Sequence, residues 1–201
     1  LTSGLISTGC ETVSLGTCPT PSLQIMIPKM GARGGICITA SHNPPEWNGL
    51  KFYTGDGILL DHARSRKLLS IFRQSKINYV PPEKLGTCKT DDRAPLIHKL
   101  AVLKILDVEP IKKKRFRIAI DCGNGAGSII TPVFLKELGC RVIKLNCETS
   151  GFFNRSPEPI PQNLKKLCLL VRDKKADVGF AQDADADRLA VVADNGKCLG
   201  E

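Results

Sequence analysis

The chain has 201 residues, of which 42% are hydrophobic and 5% aromatic, and its formal net charge is +9. That length holds one large or two small domains, and the apolar share is enough to build a core, which excludes a disordered tail. The basic balance fits either a nucleic acid or phosphorylated small molecules gathered in a basic cleft, and no RNP-like aromatic pattern or zinc-finger spacing supports the first.

In chain order, "ETVSLGTCPTP" (11–21) reads as a short strand running into a proline-bounded turn. "SLQIMIPKMGA" (22–32) has helical spacing, with Pro28 placed to end or kink the helix. "GGICITA" (34–40) is a glycine-initiated buried strand, and "GLKFYTGDG" (49–57) is another that closes in a turn. "HARSRKLLSIFRQSK" (62–76) spaces Leu68, Leu69 and Phe72 along one side of a helix. Residues 81–94 are rich in proline, glycine, aspartate and threonine and have no period, so a linker is expected there, between domains at 1–80 and 95–201. Beyond it the pattern predicts a helix over 95–107, then a buried strand in "RFRIAIDC" (115–122). The basic run "KKKRFR" (112–117) is read as a solvated approach to that strand. A tight turn, "GNGAGS" (123–128), enters the next helix. Strands at 140–146, 176–183 and 188–194 and a helix at 164–175 complete the series. Strand–helix–strand alternation predicts α/β layers with a mostly parallel sheet, and the aliphatic filling argues against a β-sandwich.

Nine cysteines, an odd count without C-x-x-C, read as reduced thiols in a cytoplasmic protein and not as a disulfide framework. No apolar run reaches the ~18 residues of a membrane span, and no secretory signal is visible.

Two stretches carry chemistry. In "TASHNPPEWNG" (39–49), Ser41 follows a buried strand, at the end where α/β sheets place their ligands. Pro44 and Pro45 restrict the loop, and His42 can donate a hydrogen bond to an oxyanion or phosphate. Taken alone the stretch is equally a capped turn, with Ser41 or Asn43 bonding the local backbone. It is not a nucleophile elbow, since G-x-S-x-G is absent. In "DADADR", Asp183, Asp185 and Asp187 alternate on a tight loop before Arg188. Such carboxylates can converge on a hard cation such as Mg²⁺, which takes oxygen ligands at ~2.0–2.1 Å, and would repel one another without one. An EF-hand needs Gly and Glu at its sixth and twelfth positions, where this chain has Arg188 and Asp194. A solvated acidic turn is the plainer alternative. Together, a held serine loop, an acidic metal loop and a basic chain point to phosphoryl transfer.

"TASHNPPEWNGLKF" resembles the phosphoserine loop of the α-D-phosphohexomutase family, and "DADADR" resembles its metal-binding loop. "GCETVSLGTCPTP", "DCGNGAGS" and "GFFNRSPEPIP" also look like family segments, in the family's order. The resemblance implies two mixed, mostly parallel three-layer α/β domains. It implies Ser41 as the phosphoryl carrier and as a metal ligand through its phosphate, with His42 and Asn43 shaping the loop. It implies Mg²⁺ on Asp183, Asp185 and Asp187, phosphate pairing by Arg188, and Lys51 as a general acid/base whose alternative is a surface lysine. The implied reaction moves a phosphoryl group between the 1- and 6-oxygens of a hexose phosphate through a bisphosphosugar, which also serves as activator. The motifs lean towards prokaryotic glucosamine or mannose/glucose mutases. The partner is a phosphosugar, with no nucleic acid and no membrane.

Two departures stand out. Ala184 and Ala186 lie where family members often have glycine or proline, and a positive φ at Ala184 would cost of order 1 kcal/mol. The family has four domains, and this chain resembles the later part of the first and the second, so a fragment that folds and binds Mg²⁺ without turnover is the rival expectation. "GNGAG" also suggests a dinucleotide site, but a helix-entry turn explains it more simply. His62 and His98 are expected on the surface or a helix face.

Overall fold

The computed structural model describes residues 1–44 and 46–201, so Pro45, expected to stiffen the serine loop, lies outside the described residues. The first half is built from a short helix α1 (Thr2–Ile6), β1 (Thr12–Ser14), α2 (Thr20–Lys29), β2 (Gly34–Ile38), β3 (Leu50–Thr54) and α3 (His62–Gln74). Pro19 caps α2 and Pro21 opens it, where a missing N–H costs nothing. Pro28 sits in its last turn, and the helix ends one residue later, at Lys29. β2 and β3 form an antiparallel pair, with Cys37 opposite Lys51. Leu69 and Phe72, expected to bury a face of α3, are instead 51% and 78% exposed. The spacing is helical, but no described element covers that side.

Within 81–94, where an irregular linker is expected, Cys88–Thr90 forms β4 and pairs in parallel with β1. Two helices follow, α4 (Ala94–Leu103) and α5 (Val108–Lys114). The basic run therefore ends a helix and is not a bare approach to a strand, and its three lysines sit favourably in the last turn of α5.

The second half then alternates β5 (Arg117–Asp121), α6 (Gly127–Glu137), β6 (Arg141–Leu145), α7 (Lys165–Asp173), β7 (Val178–Gln182), β8 (Leu189–Ala193) and β9 (Cys198–Gly200). Its five strands run in the order β6-β5-β7-β8-β9, parallel across β6, β5 and β7 and antiparallel from β7 to β9. Alternation along β5 sends Ile118 and Ile120 to one face, with Leu135 and Leu138, and Ala119 to the other, with Leu167 and Val171 of α7. Three layers result, with β5 buried along nearly its whole length. The halves meet where α2 packs on α4, and there Ser22 Oγ lies 2.9 Å from His98 Nδ1. His98 is thus a half-buried helix-face residue, and burial lowers its pKa. His62 is exposed at the start of α3. All nine cysteines are free, Cys122 and Cys140 are buried, and Cys10 and Cys88 are exposed. Among the described residues no helix is long and apolar enough to cross a membrane.

Candidate active site

Ser41 sits three residues past the end of β2 and adopts a left-handed backbone, φ 53°. A non-glycine residue there stores strain of roughly 1–3 kcal/mol, which persists only where the surroundings hold it. Here they do. Thr39 Oγ1 accepts from the Ser41 amide at 2.8 Å, and Ala40 O accepts from both the Asn43 amide and its Nδ2. The capped-turn reading of this stretch is realised at Asn43, which bonds the backbone, and Ser41 is left to face the acidic loop. Its Oγ donates to Asp183 Oδ2 at 3.1 Å, 142 positions along the chain, and lies 3.4 Å from His42 Nδ1.

The acidic loop leaves the carboxyl end of β7, next to the parallel strand β5. Carboxylate oxygens of Asp183, Asp185 and Asp187 lie within 4.8 Å of one another. Asp183 and Asp185 are buried, and Asp187 is the exposed member. Burial and the neighbouring carboxylates, Asp185 first, push Asp183 up to about 7. Burial acts to raise Asp185 too, but hydrogen bonds from Lys51 and Thr20 outweigh it and hold that carboxyl below its usual value. Asp183 Oδ1 accepts from the Asp187 and Arg188 amides, each at 3.2 Å, which turns the loop back on itself. The positive φ falls on Ala186 (56°) and not on Ala184, so the strain expected from a non-glycine loop is present two residues later than expected.

Lys51 is no surface lysine. Its Nζ bridges Asp185 Oδ2 at 2.7 Å and Asp187 Oδ2 at 2.6 Å. Burial works to lower its pKa, yet the two carboxylates hold it well above the ordinary lysine value. Arg188 is half-exposed, and its Nη1 lies 3.6 Å from Glu201 Oε2, beside the acids and not among them.

The loop fits a divalent cation on one further observation. Asp185 Oδ1 is buried and has no hydrogen-bond partner among the described residues. A buried carboxylate oxygen left bare costs about 1–3 kcal/mol or more, and a cation would satisfy it.

Three supports escape a reading of the sequence. Thr20 donates to Asp185 Oδ2 at 2.8 Å, and its amide donates to Asp185 O at 2.9 Å, so α2 grips the loop directly. Gly125 approaches so closely that a Cβ there would lie 2.3 Å from Ala184 O, while the Ala126 amide donates to that same carbonyl. Arg155 holds the residue before the loop. Only the segments "GTCPTP" and "GFFNRSPEPIP" hint at Thr20 and Arg155, and the partners lie 165 and 27 positions away. Ser41, Asn43, Ala184 and Asp185 share the lining of one open cleft of about 1420 Å³, along with Thr39 and Trp47.

Comparison with known proteins meets this geometry from another side. A family model for phosphoglucomutase/phosphomannomutase alpha/beta/alpha domain I matches residues 1–78, and the model for domain II of the same family matches residues 96–196. A probable phosphoglucosamine mutase of Methanopyrus kandleri is 41% identical over 199 residues, covering 98% of this chain and 43% of the relative. A phosphoglucomutase/phosphomannomutase of Thermococcus kodakarensis is 40% identical over 201 residues, covering 99% and 44%. The crystal structure of a putative phosphomannomutase from Thermus thermophilus superposes with a TM-score of 0.83 at 26% identity, over 98% of this chain and 46% of that one. The chain thus spans less than half the length of the curated relatives it matches.

Proposed function

The chain belongs to the phosphoglucomutase/phosphomannomutase family, and from that premise we propose that it carries the phosphoryl-transfer half of a mutase that interconverts hexose 1- and 6-phosphates. The observation that carries this reading is the 3.1 Å contact of Ser41 Oγ with Asp183, inside a cluster of three acids one of whose buried oxygens lacks a partner among the described residues. Residues 1–80 and 95–201 are read as two domains joined by 81–94, the first bringing the serine and the second the acids. Asp183, Asp185 and Asp187, with a phosphate oxygen on Ser41, would hold Mg²⁺, which when bound neutralises charge on the transferring group.

In the first half-reaction the bond from Ser41 Oγ to phosphorus breaks and a bond from a sugar hydroxyl oxygen to phosphorus forms. The sugar hydroxyl gives up a proton, and Ser41 Oγ ends as a hydroxyl. Lys51 is the group assigned to carry protons. Held as an ammonium between two carboxylates, it gives a proton to the leaving serine oxygen and recovers the one that the attacking sugar hydroxyl releases. His42 and Asn43 shape the loop, and Arg188, half-exposed beside the acids, meets a phosphate. The bisphosphosugar left by the first transfer returns its other phosphate to Ser41 and acts as the activator. A phosphosugar is the partner, and the setting is cytoplasmic.

The test is turnover of glucose 1-phosphate, mannose 1-phosphate and glucosamine 1-phosphate by the full-length protein, each with its bisphosphate activator, with Mg²⁺ and after chelation. Mg²⁺-dependent isomerisation of at least one supports the reading, and none of any would refute it. Residues 1–201 alone are expected to bind Mg²⁺ without turnover. Positioning supplies roughly 7–11 kcal/mol of such a barrier, and no second cluster for clamping the far phosphate is found among the described residues.

A further inference from the structure

We propose that Arg155 is a positioning residue for the metal loop: by locking the carbonyl of Gln182 it orders Asp183–Asp187 and so sets the affinity for Mg²⁺. The inference rests on the reading of the acids as a Mg²⁺ site.

The Arg155 side chain is only 7% exposed, and all three of its nitrogens are used inside the protein. Nε donates to Asp121 Oδ2 at 2.9 Å, Nη1 to the carbonyls of Ser156 and Pro157 at 2.9 and 3.1 Å, and Nη2 to Gln182 O at 2.6 Å. With four of its five N–H donors committed and the side chain buried, Arg155 is placed to hold the protein and not a substrate. Its anchor is fixed in turn, because Asp121 Oδ1 accepts from the Gly123 amide at 2.8 Å and from Asn146 Nδ2 at 3.2 Å.

Gln182 O belongs to the peptide plane that also contains the Asp183 amide. Holding that oxygen holds the plane, and with it the direction in which Asp183 leaves β7. The loop ahead resists order. It carries two buried carboxylates and a third beside them, and Ala186 has positive φ. Downstream it is tied by Ala184 O and Asp185 O. Arg155 supplies the upstream tie, at the last residue before the acids. A planar guanidinium can reach Asp121, Gln182 and the 156–157 turn in three directions at once, which a single ammonium cannot reproduce. This gives a task to "GFFNRSPEPIP", a segment that contributes no group to the chemistry.

The experiment is Mg²⁺ titration by calorimetry on the protein and its Arg155→Lys variant, with thermal melting of each in the absence of metal. Arg155→Met would leave Asp121 buried and unpaired and can fail to fold, so the lysine variant, which keeps the charge, is the informative one. The expected result is a cooperative melt with Mg²⁺ affinity weakened about tenfold, the lower end of what outer-shell partners cost a metal site. Unchanged affinity with a lowered melting temperature would overturn the inference, as would loss of cooperative melting, since Arg155 would then serve the fold and not the loop. No Mg²⁺ binding by the unaltered protein would instead strike the metal reading itself.

Discussion

The two halves of the molecule hold their parts of the site by different means. The acids stand at the carboxyl end of a five-stranded sheet covered on both faces, and the buried apolar residues from Ala119 to Val192 pack behind them. Ser41 stands on a hairpin of two strands, and the first half buries little beyond Met26, Ile27 and Tyr53. A cluster of like charges needs a rigid scaffold, because mutual repulsion opens anything softer. A hydroxyl needs only to be brought to the cluster. The contacts that bring it are few: Ser41 to Asp183, Lys51 to Asp185 and Asp187, and Thr20 to Asp185.

This contrast can be broken from either side. The largest effect is expected for Ser41→Ala in the full-length protein. Turnover should fall by roughly 10⁴-fold or more, as for other removed nucleophiles, while the three carboxylates of the other half still bind Mg²⁺ and lose only the share that a phosphate oxygen on Ser41 adds. Steady-state assay alongside calorimetry checks both. Asp185→Asn should weaken Mg²⁺ binding by more than the 10–100-fold typical of an outer-shell partner, and turnover should fall with it. Thr20→Val keeps the shape and deletes a 2.8 Å bond across the halves, and should destabilise the fold by about 1–3 kcal/mol on denaturant titration.

The smallest effect concerns pH. Asp183 is raised above its ordinary value, so the metal-free folded state holds a proton that the unfolded chain releases. Its contribution is full below the usual aspartate value of 3.8 and is lost as pH rises towards about 7. Asp185 is lowered and titrates below that window, where it acts in the opposite sense. Metal-free melting temperature should therefore carry a downward component with pH between those values. Asp183→Asn should remove that component, and saturating Mg²⁺ should suppress it.

How far the sequence foretells this depends on whether a feature is local. Asp183, Asp185 and Asp187 are readable because they alternate on one short loop, although distant groups hold that loop in place, and Ser41 is readable because it follows a strand end. The long apolar runs of β5, β7 and β8 are readable for the same reason. β4 and β9 are three residues each and too short to show a period. α5 is hidden by Pro110 and its charges, though proline is tolerated in a first turn. α3 shows the converse, since its spacing predicts a helix correctly but cannot say whether Leu69 and Phe72 will find a neighbour. Lys51 is legible as a family motif, yet its place between two acids depends on a meeting of strands 134 residues apart. Thr20 and Arg155 act only through such distant meetings, and their segments show a family likeness but not what either side chain does.

In the proposed reaction the hydroxyl brought by the first half carries the phosphoryl group beside the acids of the second. Peptide mass spectrometry tests it most directly, on full-length protein incubated with Mg²⁺ and a hexose 1,6-bisphosphate. About one phosphate per chain is expected, located on Ser41 and lost on incubation with a hexose monophosphate. An enzyme that turns over fully with Ser41 unmodified, or with the phosphate on another residue, would contradict it.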